Sequence, residues 1–171
     1  MRRLKWLAGL FWRFVHRMRF RYDIFISYAR SDGQPYARQL RDQLRQLDFT
    51  CFLDDDEIQA GDQLRGALKR SLHASAALVV VGTRAAALRP FVKLEVEEFA
   101  ATGRRILPIN INDSLAATAW STARGDEVVW IAETSFDTPS PAVAETIEKN
   151  YQFRKRKRLL FGARPSFFAP S

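Results

Sequence analysis

The apolar positions of the chain change period several times. Asp23-Ile-Phe-Ile-Ser27 is a short apolar run and predicts a first strand. From Pro35 to Leu47 the spacing becomes three and four, with Leu40, Leu44 and Leu47 on one stripe, which predicts a helix. Phe49–Leu53 reads as a second strand, and Leu64, Leu68 and Leu72 at every fourth position predict a helix over 64–72. Ala77-Leu-Val-Val-Val-Gly82 is the most apolar run and is expected at the centre of a sheet. Pro90 introduces a helix over 91–101. Arg105–Asn110 reads as a fourth strand, whose Pro108 suits an end or an edge better than a centre. Residues 113–126 show no regular period. Glu127–Ile131 reads as a fifth strand, and Pro139-Ser-Pro141 introduces a last helix over 142–151.

Short apolar strands alternating with helices predict an α/β fold, a parallel sheet covered on both faces. Five such units suggest the flavodoxin-like three-layer arrangement with strand order 2-1-3-4-5. In that order a ligand sits beyond the carboxyl ends of strands one and three, where the winding reverses. Those ends carry Ser27-Tyr-Ala-Arg-Ser-Asp32 and Gly82-Thr83-Arg84.

The two ends of the chain have a different pattern. Over residues 2–20, Leu4, Leu7, Phe11, Phe14, Val15 and Met18 share one helical face, with Arg2, Lys5, Arg13, His16 and Arg17 on the other. Arg13, His16 and Arg17 interrupt the apolar run, and no small-residue cleavage site follows, which argues against a secretory signal. Such a helix suits an anionic membrane surface, a partner protein, or its own domain. The net charge of +8 sits at these ends. Seven Lys/Arg lie within residues 1–22 and six within 153–171, with no acid in either, leaving 14 bases against all 19 acids between them. The middle is therefore mildly acidic, and no specific nucleic-acid partner is expected of it. The expected organisation is a basic amphipathic helix over 1–21, a domain over 22–153, and a basic, loosely ordered tail over 154–171.

Composition removes several chemistries. His16, His73 and the single Cys51 have no metal-ligand spacing, so no metal is expected. No glycine-rich phosphate loop is present. Cys51 lies mid-strand and reads as a buried thiol, and one cysteine suits a reducing compartment. A phospho-receiver domain needs an acceptor aspartate after strand three, where this chain has Val81-Gly-Thr83. Three polar groupings remain: Ser27 to Asp32, the acidic loop Asp54 to Asp62, and Glu95, Glu97 and Glu98. Phe91 and Glu95 share a helical face, which Glu98 joins while Glu97 points elsewhere. Each grouping also has a plain reading, as a helix cap, a solvated turn, or a surface carboxylate paired with Lys93 or Arg89.

Tyr22-Asp-Ile-Phe-Ile-Ser-Tyr28 resembles the first box of the Toll/interleukin-1 receptor (TIR) domain, in its bacterial form. Asp54 to Gly61, followed by Asp62-Gln-Leu, resembles that family's BB loop. Phe91-Val-Lys-Leu-Glu95-Val and Gly103-Arg-Arg-Ile-Leu-Pro-Ile109 resemble its third-helix and fourth-strand region. The resemblance implies TIR–TIR self-assembly through the BB loop, here Asp56, Glu57, Ile58, Gln59, Ala60 and Gly61. It also implies cleavage of the nicotinamide–ribose bond of NAD⁺, which is a substrate rather than a cofactor. Glu95 takes the place of the catalytic glutamate, and Phe91 stands where the motif usually has Trp. Tyr28 and Arg30 match positions near the nucleotide, and Asp54 matches an acid at the loop base. Ala60 stands where a proline is common. The family implies a bacterial anti-phage or signalling enzyme, or else a non-catalytic adaptor. A cytoplasmic location follows, at most peripheral to a membrane.

Overall fold

The computed structural model describes residues 20–53, 62–115 and 130–161. Five strands form the sheet: β1 (Tyr22–Ser27), β2 (Cys51–Leu53), β3 (Ser75–Gly82), β4 (Arg105–Ile111) and β5 (Ile131–Glu133). The helices are α1 (Gln34–Gln46), α2 (Asp62–His73), α3 (Arg84–Leu88), α4 (Pro90–Ala100) and α5 (Pro141–Phe161). All strand pairs are parallel, in the order β2-β1-β3-β4-β5, as the flavodoxin-like expectation required.

Strand alternation sorts the core into two layers. Ile24 and Ile26 of β1, with Ala77, Val79 and Val81 of β3, face α1 and α5. Phe25 of β1, with Leu78 and Val80 of β3, faces α2 and α4 through Leu72, Val92, Val96 and Phe99. Ser27 follows Phe25 by two residues and pairs with Val80, so it belongs to the α2/α4 side. The run Leu78–Val81 has no exposed surface, which explains why β3 reads as unbroken hydrophobic sequence.

The edge where the strands begin is fastened by polar contacts. Asp23 accepts hydrogen bonds from the Thr50 amide at 2.9 Å, the Thr50 hydroxyl at 2.7 Å and Tyr151 Oη at 2.6 Å. One carboxylate thus joins β1, the approach to β2, and α5. Burial, together with the Asp23 charge and hydrogen bond, raises the Tyr151 phenol well above its ordinary value. Arg104 donates to the carbonyls of His73 and Ser75 and lies over the Phe99 ring at 4.6 Å from its centre. Asp48 closes α1 in the left-handed region at φ 69°, and the Phe49 amide then reaches the Leu44 carbonyl at 3.1 Å. Cys51 is buried, and burial pushes its thiol up to about 12, consistent with an inert core residue.

Four details depart from the sequence expectation. Pro108 lies inside β4, an interior strand. It is accommodated where β4 faces β3 alone among the described residues, because β5 pairs only from Ile109 onward. The fifth strand is Ile131–Glu133, later than the expected Glu127–Ile131, of which residues 127–129 lie outside the described residues. The short helix α3 had no apolar period to announce it; Thr83 caps it by accepting from the Ala86 amide at 3.1 Å. The last helix runs ten residues past Tyr151 to Phe161, so the backbone of the basic run 154–158 is helical.

Gly82 ends β3 where no larger residue fits. A Cβ there would stand 2.1 Å from Leu115 Cδ1 and 2.5 Å from the Ile109 carbonyl oxygen. Gly82→Ala must part β3 from β4 or expel Leu115. We expect a loss of roughly 1–3 kcal/mol, read as a lower urea midpoint at unchanged m-value.

Candidate functional site

The site forms where β1 and β3 end. Ser27, 2% exposed, closes β1, and its Oγ donates to Glu95 Oε2 at 2.5 Å. Glu95 is half-buried on α4, and this bond ties the helix layer to the sheet beneath it. A hydroxyl donor against a partly desolvated carboxylate is a charge-assisted bond, which fixes the rotamer of the acid.

The neighbouring carboxylates behave differently. Glu97 pairs with Lys93 along the helix at 3.8 Å, and Glu98 pairs with Lys69 of α2 at 2.8 Å. The three acids therefore divide as their helical spacing suggested. Lys93 takes Glu97, whereas Glu95 points inward to Ser27.

Phe91 lies one turn before Glu95 and is 45% exposed. Both line a groove of about 230 Å³ between α2 and α4, walled by Leu68, Leu72 and Leu94 and crossed by Lys69 and Glu98. Val92, Val96 and Phe99 face the core, and the stripe flanking them on the same helix, Phe91, Glu95, Leu94 and Glu98, lines this groove. The groove thus has apolar walls with a carboxylate set into one end.

The loops that frame the crevice are locked together. Thr83 Oγ1 donates to Asp32 Oδ1 at 2.7 Å, and the Ala85 amide donates to Asp32 Oδ2 at 3.2 Å. Asp32 follows β1 and Thr83 follows β3, so this carboxylate bridges the two loops at the point where the winding reverses. The cap reading of the Ser27–Asp32 segment holds for Asp32, although the helix it serves is α3 rather than α1.

Other sequence-derived positions are distributed around this centre. Tyr28 is half-buried against the cluster on the α1/α5 side, the opposite layer from Ser27 and Glu95. Arg30 is exposed in the turn between β1 and α1. Asp54, Asp56, Glu57, Ile58, Gln59, Ala60 and Gly61 lie outside the described residues. Among the described residues no group of three or more His, Cys, Asp or Glu could hold a metal ion.

Glu133 is the functional-looking acid that sequence reasoning passed over. It is 6% exposed at the end of β5. Its carboxylate accepts from the amides of Thr134, Ser135 and Ser140 at 2.8, 2.9 and 2.9 Å, and from Tyr36 Oη at 3.3 Å. The only hint was the run of small polar residues after it, Thr134-Ser135 and Thr138-Pro-Ser140, which suits amides converging on one acceptor. Burial pushes this carboxyl up, and the hydrogen bonds from Ser135, Ser140 and Thr134 outweigh it, holding the carboxyl below its ordinary range. Glu133 is fully engaged in shaping the loop from β5 to α5.

The family profile described as "TIR domain" matches residues 24–147. Among solved structures, the TIR domain of the Toll-related receptor TRR-2 from Hydra magnipapillata is similar at TM-score 0.59 and 14% identity, over 77% of this chain and 98% of that one. The TIR-STING receptor from C. gigas in complex with 2′,3′-cGAMP is similar at TM-score 0.56 and 16% identity, over 77% of this chain and 40% of that one. The TIR domains of the activated Roq1 resistosome, which directly recognises the pathogen effector XopQ, are similar at TM-score 0.50 and 17% identity, over 81% and 77%. No curated protein sequence matches the chain.

Because Glu133 has a depressed carboxyl in the folded state, its contribution is present above the ordinary carboxylate range and is lost as pH falls through the folded-state value. Glu133→Gln should cost roughly 2 kcal/mol at neutral pH and flatten the acid limb of the stability curve. Urea titrations between pH 7 and about pH 3 would read both changes.

Proposed function

From the chain's membership of the TIR domain family, which the profile match over residues 24–147 establishes, we propose that it cleaves the nicotinamide–ribose bond of NAD⁺ at Glu95. The observation that carries this reading is the hydrogen bond from Ser27 to a half-buried Glu95 at the end of an apolar groove. A surface carboxylate serving only solubility has no reason to be held at 2.5 Å by a buried hydroxyl.

The chemistry asks little of the protein. The bond between ribose C1′ and the pyridinium nitrogen breaks, and its electron pair returns to nicotinamide, which leaves neutral and needs no proton. The ribose gains oxocarbenium character, and a fixed carboxylate stabilises that charge or orients the ribose hydroxyls. A water oxygen then bonds to C1′ and releases a proton, giving ADP-ribose; attack by an adenine nitrogen instead gives a cyclic product. Glu95 supplies the carboxylate, and Ser27 holds it in position. Phe91 offers a ring face one turn away, on which a planar heterocycle can stack. Arg30, exposed beyond β1, is suited to a diphosphate, and Tyr28 and Asp54 complete the proposed nucleotide set.

Self-assembly through residues 56–61 belongs to the same reading. The resistosome among the similar structures supports it, and its recognition of a pathogen effector supports a defence role for this chain. One observation favours a second reading, an adaptor that only assembles. Leu88 and Leu94, 79% and 51% exposed, add apolar surface beside Phe91. Turnover separates the two readings.

Nicotinamide release should be followed chromatographically on concentrated protein, with self-association checked by light scattering. We expect Glu95→Gln to lower kcat at least about 100-fold without changing the melting temperature by more than a few degrees. No release from assembled wild type would leave the adaptor reading standing, and equal release by wild type and variant would overturn the assignment of Glu95. Ser27→Ala, which removes the positioning hydroxyl and retains the carboxylate, should lower kcat roughly tenfold with KM little changed.

A further inference from the structure

The segment that closes β1 reaches across to the chain beyond β3 twice. Ser27 Oγ donates to Glu95 on α4, and Asp32 accepts from Thr83 Oγ1 at 2.7 Å and from the Ala85 amide at 3.2 Å. The side-chain links join residues 68 and 51 positions apart in the chain. Tyr28 and Arg30 lie between Ser27 and Asp32, and Phe91 lies between Thr83 and Glu95. Three of the proposed nucleotide contacts therefore sit in spans of chain that are pinned at both ends.

The link at Thr83 is closely determined. Thr83 is buried, and its hydroxyl donates to Asp32 while accepting from the Ala86 amide at 3.1 Å, so one rotamer serves both bonds. The Asp32 carboxylate takes one donor on each oxygen. Its backbone is held by the Ala29 carbonyl, which accepts from the Asp32 and Gly33 amides at 3.4 and 2.8 Å. Beyond Thr83, α3 is five residues long, and Arg89 alone joins it to α4, with backbone angles φ −83° and ψ 118°. The Arg89 amide donates to the Ala86 carbonyl, and the Arg89 carbonyl accepts from the Lys93 amide, both at 3.3 Å. A connection this short has no slack. A displacement at Thr83 is passed to the first turn of α4, where Phe91 stands.

We propose that Asp32 and Thr83 are positioning residues for nucleotide binding. Their bond sets the loop of Tyr28 and Arg30 against Phe91, and so governs affinity for NAD⁺ rather than the bond-breaking step. The proposal rests on the NAD⁺ reading of the Glu95 site. Neither side chain has to touch the substrate; each acts through the segment it holds. Ser27 differs, because it holds the carboxylate itself and its loss falls on kcat. The chemistry of the link also says which replacements fail. Asn at position 32 would bring its amide nitrogen against the Thr83 hydroxyl or the Ala85 amide, donor against donor. Val at position 83 keeps the shape of Thr and loses both bonds of the hydroxyl.

The test measures binding and turnover separately on the full chain. Binding is titrated calorimetrically with NAD⁺ in a Glu95→Gln background, and kcat and KM are measured with Glu95 in place. Thr83→Val and Asp32→Asn should each raise Kd and KM by about tenfold or more, with kcat within about threefold of the parent. Thr83→Ser, which keeps the hydroxyl, should return both constants to those of the parent. Circular dichroism checks that each variant is folded, and Asp32→Asn, at a half-buried position, carries the measurement if Thr83→Val is not. Unchanged Kd in the folded variants, a loss confined to kcat, or Thr83→Ser behaving as Thr83→Val would overturn the proposal. The expected Kd pattern without turnover by the parent would remove the proposed cleavage and leave the positioning role standing. No NAD⁺ binding by any of the chains would overturn both.

Discussion

The hydrogen bond between Ser27 and Glu95 crosses from the sheet to the helix layer, and the geometry of the site depends on both ends being fixed. Ser27 is placed by β1, which is interior, paired on both sides and pleated so that Phe25 and Ser27 look toward α4. Glu95 is placed by α4, whose buried stripe of Val92, Val96 and Phe99 sets the rotation of the helix. A polar bond of this kind contributes only about 1 kcal/mol or somewhat more to stability. Its value lies in orientation. It holds one carboxylate at the carboxyl end of the sheet while the rest of the helix surface remains solvated.

The two sheet edges have different tasks. At the amino edge Asp23, Thr50, Tyr151 and Arg104 form a fastening in which each polar group is matched. Asp23 belongs to the same first-strand segment as Ser27, so one short stretch supplies a structural acid at one end and a positioning hydroxyl at the other. At the carboxyl edge Asp32 and Thr83 brace the crevice, and Glu133 gathers the amides of the last loop. These acids are saturated by donors. Glu95 differs in lining a groove as well as accepting a bond.

Much of this was legible in the chain. The run Ala77–Gly82 announced a central strand because a strand buried on both faces has no polar alternation to hide it. The stripe Phe91, Glu95, Glu98 was readable because helical spacing alone determines which side chains share a face. Pro108 misled, since the rule against proline in interior strands concerns a missing donor, and β4 at that position is paired on one described side only. Glu133 was not legible, because three of its donors are backbone amides, which only the small polar residues after it hint at, and the fourth, Tyr36, lies 97 positions away. Ser27 stood at the end of the first apolar run, yet its pairing with Glu95 spans 68 positions and follows from the packing of α4 on the sheet. The basic ends were visible as composition.

The central claim is that Glu95, held by Ser27, faces the scissile bond of a bound nucleotide. The most direct measurement is the crystal structure of the Glu95→Gln chain with NAD⁺. The account predicts ribose C1′ against residue 95 and the pyridinium ring over Phe91. Nucleotide bound away from that crevice, or none bound by assembled protein, would contradict it.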